Sequence, residues 1–164
     1  MDQVVVLIGP MGVGKTTVGK KLAHALNLPF IDTDASIVSQ HGDISNIFET
    51  QGEQAFRQIE EQAVLTAISK PAVVATGGGA VLSELTRERL KACKIIYLST
   101  DGKHMKSRLR NGKRPLLKNG FEDWQKIYEA RKPIYESLAD IQIDASGRSL
   151  SVTLTEIKEK LGVA

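Results

Sequence analysis

Cysteine is nearly absent: Cys93 stands alone among 164 residues, so no disulfide can close within the chain, as suits a reducing compartment. Long apolar runs are missing too. The longest obvious one, Val4–Ile8, falls far short of the roughly 18 residues that a membrane span requires. Met1-Asp2-Gln3 offers neither a basic n-region nor a small-residue cleavage site, so export is not expected and the cytoplasm is. Histidine occurs only at His24, His41 and His104, without metal-ligand spacing and with no cysteine nearby. Internal repeats and low-complexity tracts are lacking. What is present is ordinary for a globule: 41% hydrophobic and 25% charged residues, which excludes disorder. A chain of this length is one domain and buries roughly 70% of its unfolded surface.

Charge is uneven. Of 22 Lys+Arg residues, seven lie between Lys103 and Lys118 (Lys103, Lys106, Arg108, Arg110, Lys113, Arg114, Lys118) with no acid among them. The remaining 15 basic residues face 19 acidic ones, so a cationic segment sits on a mildly acidic body. Such a block reads as a polyanion contact or as a solvated helix face plus loop. It carries no aromatic residue on which bases could stack, so nucleic acid is not the expected partner.

Apolar runs alternate with amphipathic stretches. Strands are predicted at Val4–Ile8, Phe30–Asp32, Ala72–Ala75, Lys94–Leu98 and Ile141–Asp144. Helical patterns occupy Lys15–Leu26, Ala35–Gln40, Ile44–Ser69 with a break near Gly52, Ser83–Leu90, Lys103–Leu109, Asp123–Leu138 and Ser149–Leu161. Asp43, Ser83 and Asp123 are the expected N-caps. Strands alternating with helices imply an α/β fold with a parallel sheet and right-handed crossovers. Asn111–Gly120 has no clear period, and loops of that length are often lids.

Directly after the first strand comes Gly9-Pro10-Met11-Gly12-Val13-Gly14-Lys15-Thr16, which fits G-x-x-x-x-G-K-[ST] without a gap. Its glycines let backbone N–H groups approach an anion, and the next helix turns its positive end to the same place. Lys15 can reach β- and γ-phosphates, and the Thr16 hydroxyl can take one site on Mg²⁺. A chance match in a chain this long has a probability below about 1%.

Three further clusters follow. Asp32 and Asp34 end the second strand; extended backbone would point both to one side, where one could complete a Mg²⁺ shell and the other accept a hydroxyl proton. Equally, Asp34 could simply cap the next helix. On the helix after Gly52, Phe56, Ile59, Ala63 and Ala67 form the apolar stripe, and Arg57 and Glu60 are close enough to touch. They read as an exposed ion pair of little value, or as a guanidinium aimed at a small acidic substrate and held by the glutamate. Gly77-Gly78-Gly79 follows the third strand, as a plain turn or as bare backbone against which a ligand lies.

Taken together these residues resemble shikimate kinase. The resemblance runs through Gly9–Thr16, Asp32-Thr33-Asp34, Ile47-Phe48-Glu49, Gly52-Glu53, Phe56-Arg57, Gly77-Gly78-Gly79, Arg114-Pro115-Leu116-Leu117 and Arg131-Lys132-Pro133-Ile134-Tyr135. It implies a P-loop NTPase three-layer sandwich of the nucleoside monophosphate kinase type, with a five-stranded parallel sheet flanked by helices. Residues 1–164 would be one domain, with an acceptor-binding region at about 33–61 and a lid at about 110–121. The implied activity is transfer of the γ-phosphate of ATP to the 3-hydroxyl of shikimate, giving shikimate 3-phosphate and ADP on the route to chorismate and the aromatic amino acids.

Residue by residue, the resemblance implies that Gly12, Val13, Gly14, Lys15, Thr16 and Thr17 bind ATP, with Arg110 and Arg148 near adenine. Arg114 would close from the lid onto the phosphates. Thr16 and Asp32 would hold Mg²⁺. Asp34 would meet the reacting hydroxyl, Arg57 and Arg131 the substrate carboxylate, and Gly78 and Gly79 the ring, with Glu60 beside Arg57. Lys15, Asp34 and Arg114 are thus the expected catalytic set. The implied partners are ATP, ADP and shikimate, without nucleic acid or membrane, and the expected state is a monomer. A gluconate or nucleoside monophosphate kinase is the alternative enzyme, and a nucleotide-dependent regulatory module the alternative of another class. Trp124, Tyr128 and Tyr135 are expected to pack helices, and His24 and Cys93 to be ordinary helix residues.

Overall fold

A computed structural model describes residues 3–109 and 115–163. Five strands form one parallel sheet: β1 (Val4–Ile8), β2 (Phe30–Asp32), β3 (Ala72–Ala75), β4 (Lys94–Ser99) and β5 (Ile141–Asp144), in the order β2-β3-β1-β4-β5. The helices are α1 (Lys15–Leu26), α2 (Thr33–His41), α3 (Ile44–Gln51), α4 (Glu53–Ala67), α5 (Glu84–Leu90), α6 (Met105–Arg108), α7 (Phe121–Leu138) and α8 (Leu150–Leu161), with a 3-10 turn at Ala80–Leu82. The unbroken β-branched runs of β1 and β3 are buried almost throughout, as central parallel strands must be when both faces are covered. Edge strand β5 alternates buried Ile141 and Ile143 with exposed Gln142 and Asp144.

Register fixes the layers. Leu7 pairs with Ile96, and a Cβ built on Gly19 of α1 would lie 3.2 Å from the Leu7 side chain, so that face is covered by α1. The next residue on β4, Tyr97, points the other way and stacks on Tyr135 of α7 with ring centroids 5.2 Å apart. Helix, sheet and helix therefore form three layers. Gly9 is needed where β1 turns out of the sheet: its φ is +146°, and a Cβ there would meet the Leu98 carbonyl oxygen at 2.5 Å.

Several boundaries differ from the pattern in the sequence. Helix α2 begins at Thr33, because the Asp32 side chain accepts from the Asp34 and Ala35 N–H groups and so starts it. Asp34 therefore lies in the first turn; it is not the cap, and Asp32-Thr33-Asp34 is not an extended run. Asp43 and Ser83 cap as expected. Asp123 does not: α7 starts at Phe121, and Asp123 accepts instead from the Asn119 N–H at 2.8 Å. Cys93 is buried in the turn before β4 rather than in a helix, whereas His24 is exposed on α1. The buried stripe of α4 is Phe56, Glu60, Val64 and Ala67, with Ile59 and Ala63 only half-buried. A carboxylate occupies a core-facing position.

Candidate active site

The loop between β1 and α1 is closed by its own lysine. Lys15 Nζ donates to the carbonyls of Gly9 at 2.6 Å and Pro10 at 2.9 Å, with the side chain largely buried. Thr16, one residue into α1, donates from Oγ1 to Asp32 Oδ2 at 2.7 Å, while Oδ1 of the same carboxylate starts α2. Asp32 thus joins the P-loop helix to α2. Above this loop lies a cleft of about 260 Å³ lined by Gly12, Gly14, Lys15, Thr16, Thr17 and Asp32, with Asp34 and Gly77 on its far side. It continues into a cleft of about 300 Å³ that includes Val13, Arg108 and Arg148. Arg148 lines this cleft and is ion-paired with Glu156. Arg108 was not singled out; its Nη1 donates to the Gly12 carbonyl at 2.8 Å across 96 residues of chain, a contact no local pattern signals. Arg110 and Arg114 lie outside the described residues.

A second cleft, of about 280 Å³, adjoins the first. Its walls bring together Asp34, Arg57, Glu60, Gly77, Gly78, Gly79 and Arg131, with Phe48 and Phe56 opposite Pro115 and Leu116. Asp34, Gly77 and Gly78 line both clefts. Arg57 and Arg131, 74 positions apart in sequence, therefore face one space. Another cleft, about 600 Å³ between α2 and α4, holds none of these groups; glutamines and aliphatic side chains line it together with Ser36, His41 and Thr66.

The ion pair on α4 is not superficial. Arg57 Nη1 donates to Glu60 Oε1 at 2.8 Å, and the Glu60 side chain is only 4% exposed. Burial pushes the Glu60 pKa up, and the adjacent Arg57 guanidinium opposes that rise. Glu53 Oε2 lies 3.5 Å from Arg57 Nε, yet that N–H has no aligned hydrogen bond. Arg131 is 7% exposed, and among the described residues no carboxylate forms an ion pair with it. Burial lowers its pKa, a Tyr135 hydrogen bond supports the charged form, and the like charge of Arg57 opposes it. Two guanidinium groups sharing one cleft, Arg131 buried and Arg57 partly so, favour an anionic ligand there.

The glycines have a reason beyond turning. None of Gly77, Gly78 and Gly79 has positive φ. Instead, a Cβ on Gly77 would come within 2.9 Å of both the Asp34 and Glu60 carboxylates. One on Gly78 would lie 3.5 Å from Arg131 Nη1 and from the Met11 backbone nitrogen, and one on Gly79 would overlap Arg57 at 2.2 Å. The bare backbone makes room for four ionic side chains to approach it. Trp124 and Tyr128 pack α7 as expected, and Trp124 Nε1 also donates to the Met11 carbonyl at 2.8 Å.

Thr16 and Asp32 offer hard oxygen atoms beside the lysine, a donor set that fits Mg²⁺; few protein ligands suffice because that ion keeps waters and phosphate oxygens. No helix among the described residues is long and apolar enough to cross a membrane.

Comparison with known proteins agrees with this arrangement. The family model for shikimate kinase matches residues 11–162. A shikimate kinase of Mannheimia succiniciproducens is 44% identical over 161 residues, covering 93% of this chain and 91% of that protein. A shikimate kinase from Acinetobacter baumannii, solved in complex with shikimate, superposes with a TM-score of 0.91 at 34% identity, covering 99% of this chain and 94% of that one. A gluconokinase from Sinorhizobium meliloti, at TM-score 0.59 and 18% identity over 98% of this chain and 92% of its own, shares the fold alone.

Proposed function

The chain belongs to the shikimate kinase family, and from that premise we propose that Asp34 stands between its two substrates, ATP on the P-loop and shikimate in the cleft floored by the triple glycine. The reaction transfers the γ-phosphoryl group of ATP to the 3-hydroxyl of shikimate: the new O–P bond forms at that hydroxyl, the bond to the β-phosphate oxygen breaks, and ADP leaves. The observation that carries the reading is the position of Asp34, which lines both clefts while Arg57 and Arg131 face only the second.

Phosphoryl transfer asks for in-line positioning and charge neutralisation rather than covalent chemistry. Gly12, Val13, Gly14 and Thr17 cradle the nucleotide, and Lys15 exchanges its loop carbonyls for β- and γ-phosphate oxygens. Thr16 and Asp32 would hold Mg²⁺, which when bound neutralises phosphate charge. Asp34 orients the acceptor hydroxyl and accepts its proton. Arg57 and Arg131 grip the shikimate carboxylate, Glu60 holds Arg57 at its working angle, and Gly78 and Gly79 let the ring lie against backbone. Arg114 and Arg110, both outside the described residues, would complete the phosphate and adenine ends from the lid at about 110–121, and Arg148 would serve the adenine end. A neutral acceptor would leave the buried Arg131 guanidinium without an anion, which sets the specificity. We place the enzyme in the cytoplasm, which its single, unpaired cysteine suits, and read it as a single-domain monomer.

An ADP-release assay with shikimate, quinate, gluconate and nucleoside monophosphates tests the reading. Release with shikimate is expected. Release with gluconate or a nucleoside monophosphate instead, or ATP binding with no release for any acceptor, overturns it.

A further inference from the structure

Tyr135 sits on α7 one turn beyond Arg131 and is 1% exposed. Its ring is held by stacking on Tyr97, at 5.2 Å between centroids and 29° between planes, and by Tyr128 at 6.2 Å. The packing fixes where its hydroxyl points. That hydroxyl donates to the Gly78 carbonyl at 2.5 Å, across 57 residues. Arg131, one turn earlier on the same helix, is near enough for the Tyr135 hydroxyl to favour its charged form, and a Cβ on Gly78 would lie 3.5 Å from Arg131 Nη1. A phenolic oxygen has one proton to give and lone pairs to accept with, so with its proton on the Gly78 carbonyl the Tyr135 oxygen is left to accept from the neighbouring Arg131 guanidinium.

We propose that Tyr135 is a positioning residue for the acceptor, orienting both the Arg131 guanidinium and the Gly77-Gly78-Gly79 floor through one hydroxyl. The role presupposes the acceptor cleft proposed above. A donor of Arg131 held by Tyr135 fixes the plane of a guanidinium that lines the acceptor cleft. The Gly78 carbonyl is held down at the same time, so its peptide cannot rotate under the bound ring. Burial pushes the Tyr135 pKa up to about 12, so the donor persists throughout the neutral range. No substrate contact by Tyr135 is involved. Phenylalanine would fill the same space yet strand a buried carbonyl and release the guanidinium.

Steady-state kinetics of Tyr135→Phe test this, with Tyr128→Phe as the matched control. Tyr128 also loses a buried hydroxyl contact, to Tyr97 at 2.5 Å, but does not line the acceptor cleft. Tyr135→Phe is expected to raise the shikimate KM roughly 5- to 30-fold, the range of one lost buried hydrogen bond, with the ATP KM within about twofold. Tyr128→Phe is expected to lower the thermal midpoint similarly while leaving both KM values unchanged. An unchanged shikimate KM in folded Tyr135→Phe, or an equal rise for both substrates, overturns the assignment. If Tyr135→Phe does not fold, the carbonyl ¹³C shift of Gly78 in the natural protein decides: a value typical of an unbonded carbonyl overturns it, a hydrogen-bonded value upholds it. A natural protein that releases no ADP with shikimate refutes the acceptor reading instead, and the Gly78 shift still tests the hydroxyl contact.

Discussion

Glu60 occupies a core-facing position on α4 and accepts from Arg57 Nη1 at 2.8 Å, one helical turn away. The carboxylate is nearly buried, so its worth is not that of a surface pair: removing one partner leaves the other charged and desolvated. Glu60→Gln keeps the shape and loses the charge. It should raise the shikimate KM about tenfold while leaving the ATP KM close to its natural value, because Arg57 loses its anchor and the P-loop does not. Initial-rate measurements varying each substrate in turn check this, and a rise in ATP KM alone would refute it.

Asp34 and Arg131 line the same cleft, but their substitution should separate chemistry from binding. Asp34→Asn is expected to bind ATP normally and to lose roughly 10²- to 10⁴-fold in kcat, the usual contribution of a general base. Arg131→Ala is expected to raise the shikimate KM roughly 10- to 100-fold by removing a charge-assisted contact. Equilibrium ATP binding and ADP-release kinetics on both variants distinguish the two; near-normal turnover in Asp34→Asn would leave that residue no role in proton transfer.

Asp32 has two duties, starting α2 through Oδ1 and meeting Thr16 through Oδ2. Asparagine preserves capping, alanine does not. Asp32→Asn should therefore keep its thermal midpoint and require more Mg²⁺ for half-maximal rate, whereas Asp32→Ala should also lose about 1 kcal/mol of stability. Chelation with EDTA should abolish ADP release in the natural protein, and restored Mg²⁺ should return it.

Gly79→Ala places a Cβ on the Arg57 guanidinium. That end of the side chain can shift only by giving up its Glu60 partner, so the fold should survive with a loss of about 1–3 kcal/mol. The displaced Arg57 should raise the shikimate KM roughly tenfold. A thermal melt beside the kinetics reads both; loss of folding without any acceptor effect contradicts the geometry.

Alkaline stability reports on the tyrosines under the site. In the folded state the Tyr135 pKa is pushed up to about 12 from its usual 10, chiefly by burial, and Tyr97 is raised further. An acid whose folded pKa is raised stabilises the fold fully below the unfolded value and loses that contribution as pH climbs through the folded one. Stability should therefore fall between about pH 10 and 12, by about 1.4 kcal/mol per pH unit for each such tyrosine. Tyr135→Phe should flatten that decline by one proton's worth in urea titrations at stepped pH. An unchanged slope would mean Tyr135 titrates normally.

Local signals carried far here. Strands β1, β2, β3 and β5 fall within their predicted bounds because three to five residues bounded by proline, glycine or polar residues are too short to make a stable helix, and β4 only extends to Ser99. The P-loop was legible because its whole chemistry lies in eight consecutive residues. The α4 stripe was misjudged for a physical reason: counting apolar spacing cannot register a carboxylate that a neighbouring guanidinium allows to be buried. The role of Asp32 and Asp34 turned on one backbone choice, extended or helical at Thr33, and side-chain capping decided it.

From its own order of residues, the chain determined the parallel sheet, the phosphate loop and the pool of ionic groups available for an acceptor, since each is set by short-range periodicity or by adjacent residues. Tertiary structure alone decided which of those groups meet. Arg57 and Arg131, Trp124 and Met11, Tyr135 and Gly78 are joined only because successive crossovers carry α4 and α7, distant in sequence, against the loops that follow β1 and β3. Contacts across such separations arise from packing the whole core, and no local stretch of sequence contains that information.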